Sequence, residues 1–159
     1  MKKILVIGDS CLDVYTYCKT SRLAPDKPVP VLEKIKTIAT PGMAYNVFRN
    51  VHSLTESCDL VTNNNWQEVQ KVRYVDEKSN HMFMRVDSSQ EISRINHESL
   101  SFEYESIILS DYDKGYLSEE QIEYICSNHP QVFLDTKKVL GDWAKNAKFI
   151  KINNYEYER

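Results

Sequence analysis

No apolar run in the 159-residue sequence exceeds a handful of residues, so a membrane-spanning helix, which needs about 20 in succession, is excluded. The run Ile4–Ile7 follows two lysines but is too short for a signal-peptide core, and it ends near an aspartate; a cytoplasmic location is expected. Charge of one sign is also missing. The net charge of −3 provides no field that would draw nucleic acid or an anionic membrane, and neither partner is expected. Cysteine is sparse, and Cys11, Cys18, Cys58 and Cys126 show no CxxC or Cys/His spacing, so they read as reduced, mostly buried thiols rather than metal ligands. Glycine numbers four, and none forms a GxGxxG turn after the first apolar run, which weakens a generic doubly wound nucleotide-binding domain without removing it. Internal repeats and low-complexity stretches are lacking as well, and Asn63-Asn64-Asn65 is simply a polar loop.

What remains is the composition of one globular domain, 42% hydrophobic and 27% charged, long enough to bury a core. Short continuous apolar runs mark strands buried on both faces: Lys3–Gly8, Asp59–Thr62, Ser106–Ser110, Val132–Asp135 and Phe149–Ile152. Between two of them, Leu117–Cys126 carries apolar residues at helical spacing, with Ser118 as N-cap and Glu119 and Glu120 at the positive end of the helix dipole. Strand, helix, strand implies a parallel sheet. A second helix is expected over Gly42–Leu54, with Ala44, Val47, Phe48 and Val51 as its apolar stripe. Two regions alternate with period two and are expected as antiparallel ribbons: Val14–Lys19 with Val29–Ile38 around a proline-containing turn, and Lys71–Asp76 with Met82–Asp87 around Glu77–Asn80. Such a layer beside an α/β core often serves as a lid.

Polar residues collect where the parallel strands end, which is where open α/β sheets bind ligands. Asp9 and Asp13 follow the first strand, and carboxylates there suit the vicinal hydroxyls of a sugar or polyol better than a phosphate. Pro41-Gly42-Met43-Ala44-Tyr45-Asn46 forms a tight turn into a helix, and Ser110–Gly115 and Asp135–Lys138 follow two further strands.

Five segments match one pattern in order. Gly8-Asp9-Ser10-Cys11-Leu12-Asp13 fits Gly-Asp-x-x-Leu-Asp; Arg22-Leu23-Ala24-Pro25 through Pro28-Val29-Pro30-Val31 fits Arg-Ile-Ser-Pro followed by Pro-Val-Pro-Val; Pro41–Asn46 fits Pro-Gly-Gly-Ala-Ala-Asn. Leu109–Gly115 fits Leu-Ser-Asp-Tyr-x-Lys-Gly, and Asn153-Asn154-Tyr155-Glu156 fits Asn-x-x-Glu. In these segments the chain resembles the ribokinase-like (PfkB) carbohydrate kinases, most closely the bacterial heptose-7-phosphate kinases. The resemblance implies an α/β, ribokinase-like fold with a small antiparallel β lid, one domain over 1–159 with lid ribbons at about 13–38 and 71–87. It implies a sugar or sugar phosphate held between core and lid, and ATP with Mg2+ as phosphoryl donor. Carried over residue by residue, Asp13 binds sugar hydroxyls, Gly42 and Asn46 line the same pocket, and Asp9 stands with them, supporting the loop. Arg73 and Arg85 contact the substrate's phosphate, Lys137 lies near the nucleotide, and Asn153 and Glu156 lie near the phosphates and magnesium, with Glu156 as metal ligand.

The sequence also departs from that pattern. Met43 stands where the family keeps a second glycine, and the stretch from Leu54 to Lys71 is short, as though a strand-helix unit were trimmed. The residues hold no Gly-Ala-Gly-Asp segment, whose aspartate and amides supply the general base and the anion-stabilising donors. The expectation is therefore an incomplete fold, its C-terminal part missing: the sugar-binding half of a kinase, not competent alone. A separately encoded second half or a homo-oligomer partner would complete it. The alternative is a non-catalytic sugar-phosphate-binding or interaction module.

Overall fold

The computed structural model describes residues 3–88 and 90–158. In chain order, β1 (Ile4–Gly8), β2 (Ser10–Leu23) and β3 (Pro30–Met43) precede helix α1 (Ala44–Leu54); then come β4 (Cys58–Val61), β5 (Gln70–Asp76), β6 (Met82–Asp87) and β7 (Ser106–Asp111). Helix α2 (Glu119–Asn128), β8 (Val132–Thr136), β9 (Phe149–Lys151) and the single turn α3 (Asn154–Tyr157) follow. Residues group into two units: residues up to Ser10, Gly42–Trp66 and those from Glu91 onward form the first, and Cys11–Pro41 with Gln67–Gln90 the second.

The first unit is built on a parallel sheet in the order β4-β1-β7-β8-β9. The unbroken apolar run of β1 is explained by cover on both faces, since successive side chains point to opposite sides of a strand. Leu5 and Ile7 belong to one buried cluster with Ile122 and Ile125 of α2, whereas Val6 packs with Ala44 of α1 and, partly buried, Val47, Phe48 and Val51. Each fully buried isoleucine of α2 contributes roughly 1.5–3 kcal/mol. The Ser118 hydroxyl accepts from the Gln121 amide at 3.2 Å, while the Gln121 side chain accepts from the Ser118 amide at 2.9 Å, a reciprocal cap that fixes where α2 starts. Cover is uneven. Phe133 and Phe149, neighbours in register on β8 and β9, are 38% and 59% exposed, and with Ile4 and Ile108 they line an open apolar cavity of about 440 Å³.

The second unit is a four-stranded sheet in the order β3-β2-β5-β6. Its hairpin β5/β6 is antiparallel as expected, and Asp76 closes the turn by accepting from the amides of Lys78 and Ser79 at 3.1 and 2.8 Å. The expectation of a purely antiparallel lid is corrected, however, because β2 runs parallel to β5, from Leu12 opposite Gln70 to Cys18 opposite Asp76. A period of two reports which residues share a face, not strand direction. After β3 the chain makes α1 and β4 before β5, and a connection of that length permits the parallel pairing that a hairpin forbids. The helix expected from Gly42 starts at Ala44, with Gly42 and Met43 completing β3. Between β4 and β5 there is no helix, in keeping with the short stretch noted in the sequence.

All four cysteines are free and buried. Burial pushes the thiols of Cys11 and Cys126 up to about 11, which keeps them protonated and unreactive.

Candidate functional site

Asp9 sits directly after β1 and is 0% exposed. Its Oδ2 accepts from the backbone amides of Tyr112 (2.7 Å) and Lys114 (3.3 Å), and its Oδ1 from that of Tyr116 (3.1 Å). Its own carbonyl accepts from the Ala44 amide at 2.8 Å. One carboxylate thus ties the end of β1 to the loop after β7, and its carbonyl ties it to the start of α1. With both oxygens taken by amides, Asp9 acts through the loop it holds. Burial, and after it the nearby Asp111 charge, pushes its carboxyl above the ordinary range, while the three amides pull the other way. The approach of β1 to β7 is close enough that a Cβ on Gly8 would lie 1.9 Å from the Ser110 carbonyl oxygen, so only glycine fits there.

At the neighbouring strand ends lies a second buried carboxylate, Asp111. It accepts from the Thr136 hydroxyl at 2.5 Å and from the Lys138 ammonium at 3.0 Å to each oxygen, and Lys138 also reaches Asp113 at 2.8 Å. Sequence reasoning named both segments but not this pair. The signal that could have found it is register: Asp111 and Thr136 are partners on adjacent strands, which places Lys138 just beyond the same edge.

Lys137, Asn153 and Glu156, expected at nucleotide and magnesium, are brought together. Lys137 forms an ion pair with Glu156, and Glu156 closes a capping box with Asn153, accepting from its backbone amide at 2.8 Å and its side-chain amide at 2.9 Å. Lys137 first, and the Asn153 amide second, hold the Glu156 carboxyl below its ordinary range. Magnesium characteristically takes one or two carboxylates and draws its other ligands from phosphates and water, so a single ionised glutamate fits as one ligand once Lys137 yields.

Within the second unit, Asp13 accepts from Arg73 Nη1 at 2.5 Å, and the Arg73 guanidinium lies 5.1 Å from the centre of the Tyr15 ring. Register explains the grouping. Asp13, Lys71 and Asp87 form one cross-strand row; Tyr15, Arg73 and Arg85 form the next on the same face. Arg85 is gripped in bidentate fashion by Asp87, at 2.7 Å from Nε and from Nη2. Gly42 is buried at the end of β3, while Asn46, in the first turn of α1, is exposed and its side chain has no hydrogen bond among the described residues.

No family model matches the sequence. Among curated proteins the chain is similar to the bifunctional protein HldE of Helicobacter pylori strain G27, 31% identical over 198 aligned positions that take in 99% of this chain and 42% of the relative. It is similar also to HldE of Coxiella burnetii strain RSA 331, 30% identical over 92% of this chain and 31% of the relative. The chain therefore spans less than half the length of these relatives. Among solved structures, ribokinase from Thermotoga maritima superposes with a TM-score of 0.58 at 12% identity, over 99% of this chain and 61% of that one. Phosphofructokinase-2 from Escherichia coli in complex with fructose-6-phosphate gives 0.59 at 14% identity, over 98% and 63%. The chain has part of the ribokinase-like fold.

One departure from the ribokinase-like pattern has a visible cost. Met43, standing in the family's Gly-Gly turn, has φ 60° and ψ −131°, a backbone region that glycine enters freely and other residues enter at roughly 1–3 kcal/mol. Its side chain is buried, and that burial offsets the strain.

Proposed function

We propose that this chain is the sugar-binding part of a carbohydrate kinase whose substrate is a phosphorylated sugar of the heptose 7-phosphate kind. The observation that carries the reading is the charged face of the second unit, where Asp13, Arg73 and Arg85 stand in adjacent cross-strand rows. A carboxylate there accepts from sugar hydroxyls, and planar guanidinium groups match a phosphate. In this reading the Arg73–Asp13 and Arg85–Asp87 pairs hold the face ready, and substrate takes over some of these contacts. Within the first unit, Asp9 orders the loop after β7. ATP is the donor; Lys137, Asn153 and Glu156 serve its phosphates, with Glu156 holding Mg2+, which would neutralise phosphate charge. The place of work is the cytoplasm.

Turnover by these residues alone is expected to be slow. They hold no Gly-Ala-Gly-Asp segment, and a missing general base costs about 10²–10⁴-fold. Another stretch of polypeptide, a separate chain or a second copy completes the machinery. A binding module without turnover is the second reading.

Calorimetric titration with heptose 7-phosphate tests the proposal. Saturable binding is expected, and Asp13→Ala should weaken it by about 100-fold, as the loss of two charge-assisted hydrogen bonds would. Folded protein that shows no saturation, or an Asp13→Ala variant with undiminished affinity, would sink the sugar assignment. ATP-dependent phosphorylation on mixing with a family C-terminal half separates the kinase from the binding module.

A further inference from the structure

The loop after β4 and the segment before β7 enclose a polar cavity of about 320 Å³ that none of the residues assigned to sugar or nucleotide lines. Its wall is Thr62–Asn65 on one side and Ser93–Asn96 on the other, with Tyr116 at the base. The framework is locked from behind. Asn63 accepts from the Ser10 amide at 2.8 Å and donates to Asn65 at 3.0 Å; Asn65 donates to the Glu91 carbonyl at 2.8 Å; the Ile95 amide donates to the Tyr116 carbonyl at 3.0 Å. A preformed cavity costs little ordering when a ligand enters.

The groups left over are mostly donors. Arg94 has no ion-pair or hydrogen-bond partner among the described residues, and no carboxylate lines the cavity. The Tyr116 ring is buried, and its hydroxyl, which has no hydrogen-bond partner among the described residues, borders the cavity that could supply one. Asn64 and Asn96 add side-chain amides. One unpaired cation and a phenol donor, with no carboxylate in the lining itself, select an anion; the amides and the Ser93 hydroxyl suit a hydroxylated body. The volume lies at the small end of ligand sites and is tight for a nucleotide triphosphate. The cavity also lies beyond the carboxyl end of β4, where α/β sheets place ligands.

We propose that this cavity is a second binding site, for a small hydroxylated oxyanion such as a phosphate ester or hydroxy acid, with Arg94 and Tyr116 as its anchors. The site is independent of the sugar reading above.

Calorimetry on the 159-residue chain at fixed ionic strength, with glycerol phosphate, glycerate and glycerol as probes, decides the matter. At least one anionic probe should saturate while glycerol does not, and the stronger of the two anions identifies the ligand chemistry. Arg94→Gln should weaken that probe by roughly tenfold, with Arg94→Lys recovering part of the loss, and Tyr116→Phe by roughly fivefold. Tyr116→Phe keeps the ring in the core, and a thermal melt within a few degrees of wild type confirms that the fold survives. Asp13→Ala should leave this binding unchanged. Absence of saturation by both anions, indifference to Arg94→Gln and Tyr116→Phe, or loss on Asp13→Ala, which would assign the signal to the sugar face, each overturns the proposal.

Discussion

Replacing Asp9 with alanine is expected to destabilise the protein by about 4 kcal/mol or more, seen as a fall in melting temperature on the order of 10–15 °C. Three amides lose their acceptor at once, that of Tyr116 buried and those of Tyr112 and Lys114 partly buried, and a buried donor without a partner costs about 1–3 kcal/mol. Against a typical total of about 5–15 kcal/mol this is a large share. Asp9→Asn keeps one acceptor oxygen and should be milder. A drop below roughly 1 kcal/mol for the alanine variant would show that the loop holds itself together without the carboxylate.

The raised carboxyl of Asp9 gives this prediction a pH arm. A group that binds its proton more readily in the folded than in the unfolded state contributes stability that is fully present below its ordinary value and is lost as pH rises through the raised one. The margin by which wild type exceeds Asp9→Asn should therefore widen as pH falls from neutrality toward the ordinary carboxylate value of 3.8. Denaturant melts of both proteins at several pH values measure it; a margin that narrows on acidification contradicts the assignment.

Lys138→Met carries a comparable penalty, about 3–5 kcal/mol, because it strips the cation from a fully buried aspartate. Asp111 is 1% exposed and the Lys138 side chain 10%, so solvent does little to screen the loss. The double variant Lys138→Met with Asp111→Asn should be less damaged than Lys138→Met alone, since the amide oxygen still accepts from Thr136 without leaving a charge behind. If Lys138→Met proved as mild as the loss of a surface pair, under about 1 kcal/mol, the ammonium would have to be solvated rather than buried.

Asp111 and Lys138 also show where sequence reading ran short. The strand runs around them were legible from unbroken apolar stretches, and the start of α2 from Ser118, because those signals are local. A lysine among Asp135-Thr136-Lys137-Lys138 looks like any surface lysine until β8 is laid beside β7. The direction of β2 against β5 escaped for the same reason, as strand polarity depends on where the chain has been in between. Asp13 was singled out from the Gly-Asp-x-x-Leu-Asp segment and Arg73 from its place on the second ribbon, yet their contact is a fact of cross-strand register. Met43 was legible as a missing glycine, but that its backbone would still take up the turn could be learned only from its φ and ψ.

The position of β1 inside its sheet, between β4 and β7, has a consequence for how the protein is born. Ile7 is flanked by Val61 on one side and Leu109 on the other, so the second neighbour is synthesised roughly 100 residues later, on the order of 5–20 s at ribosomal rates. During that interval the strand Ile4–Gly8 has an unpaired edge and an apolar side chain at nearly every position. The second unit waits too, since β2 cannot meet β5 until the helix and strand between them have been made. Long-range pairings of this kind are slow to close. The nascent chain is thus most vulnerable to aggregation before β7 leaves the ribosome, and a holding chaperone would be most useful to it in that window.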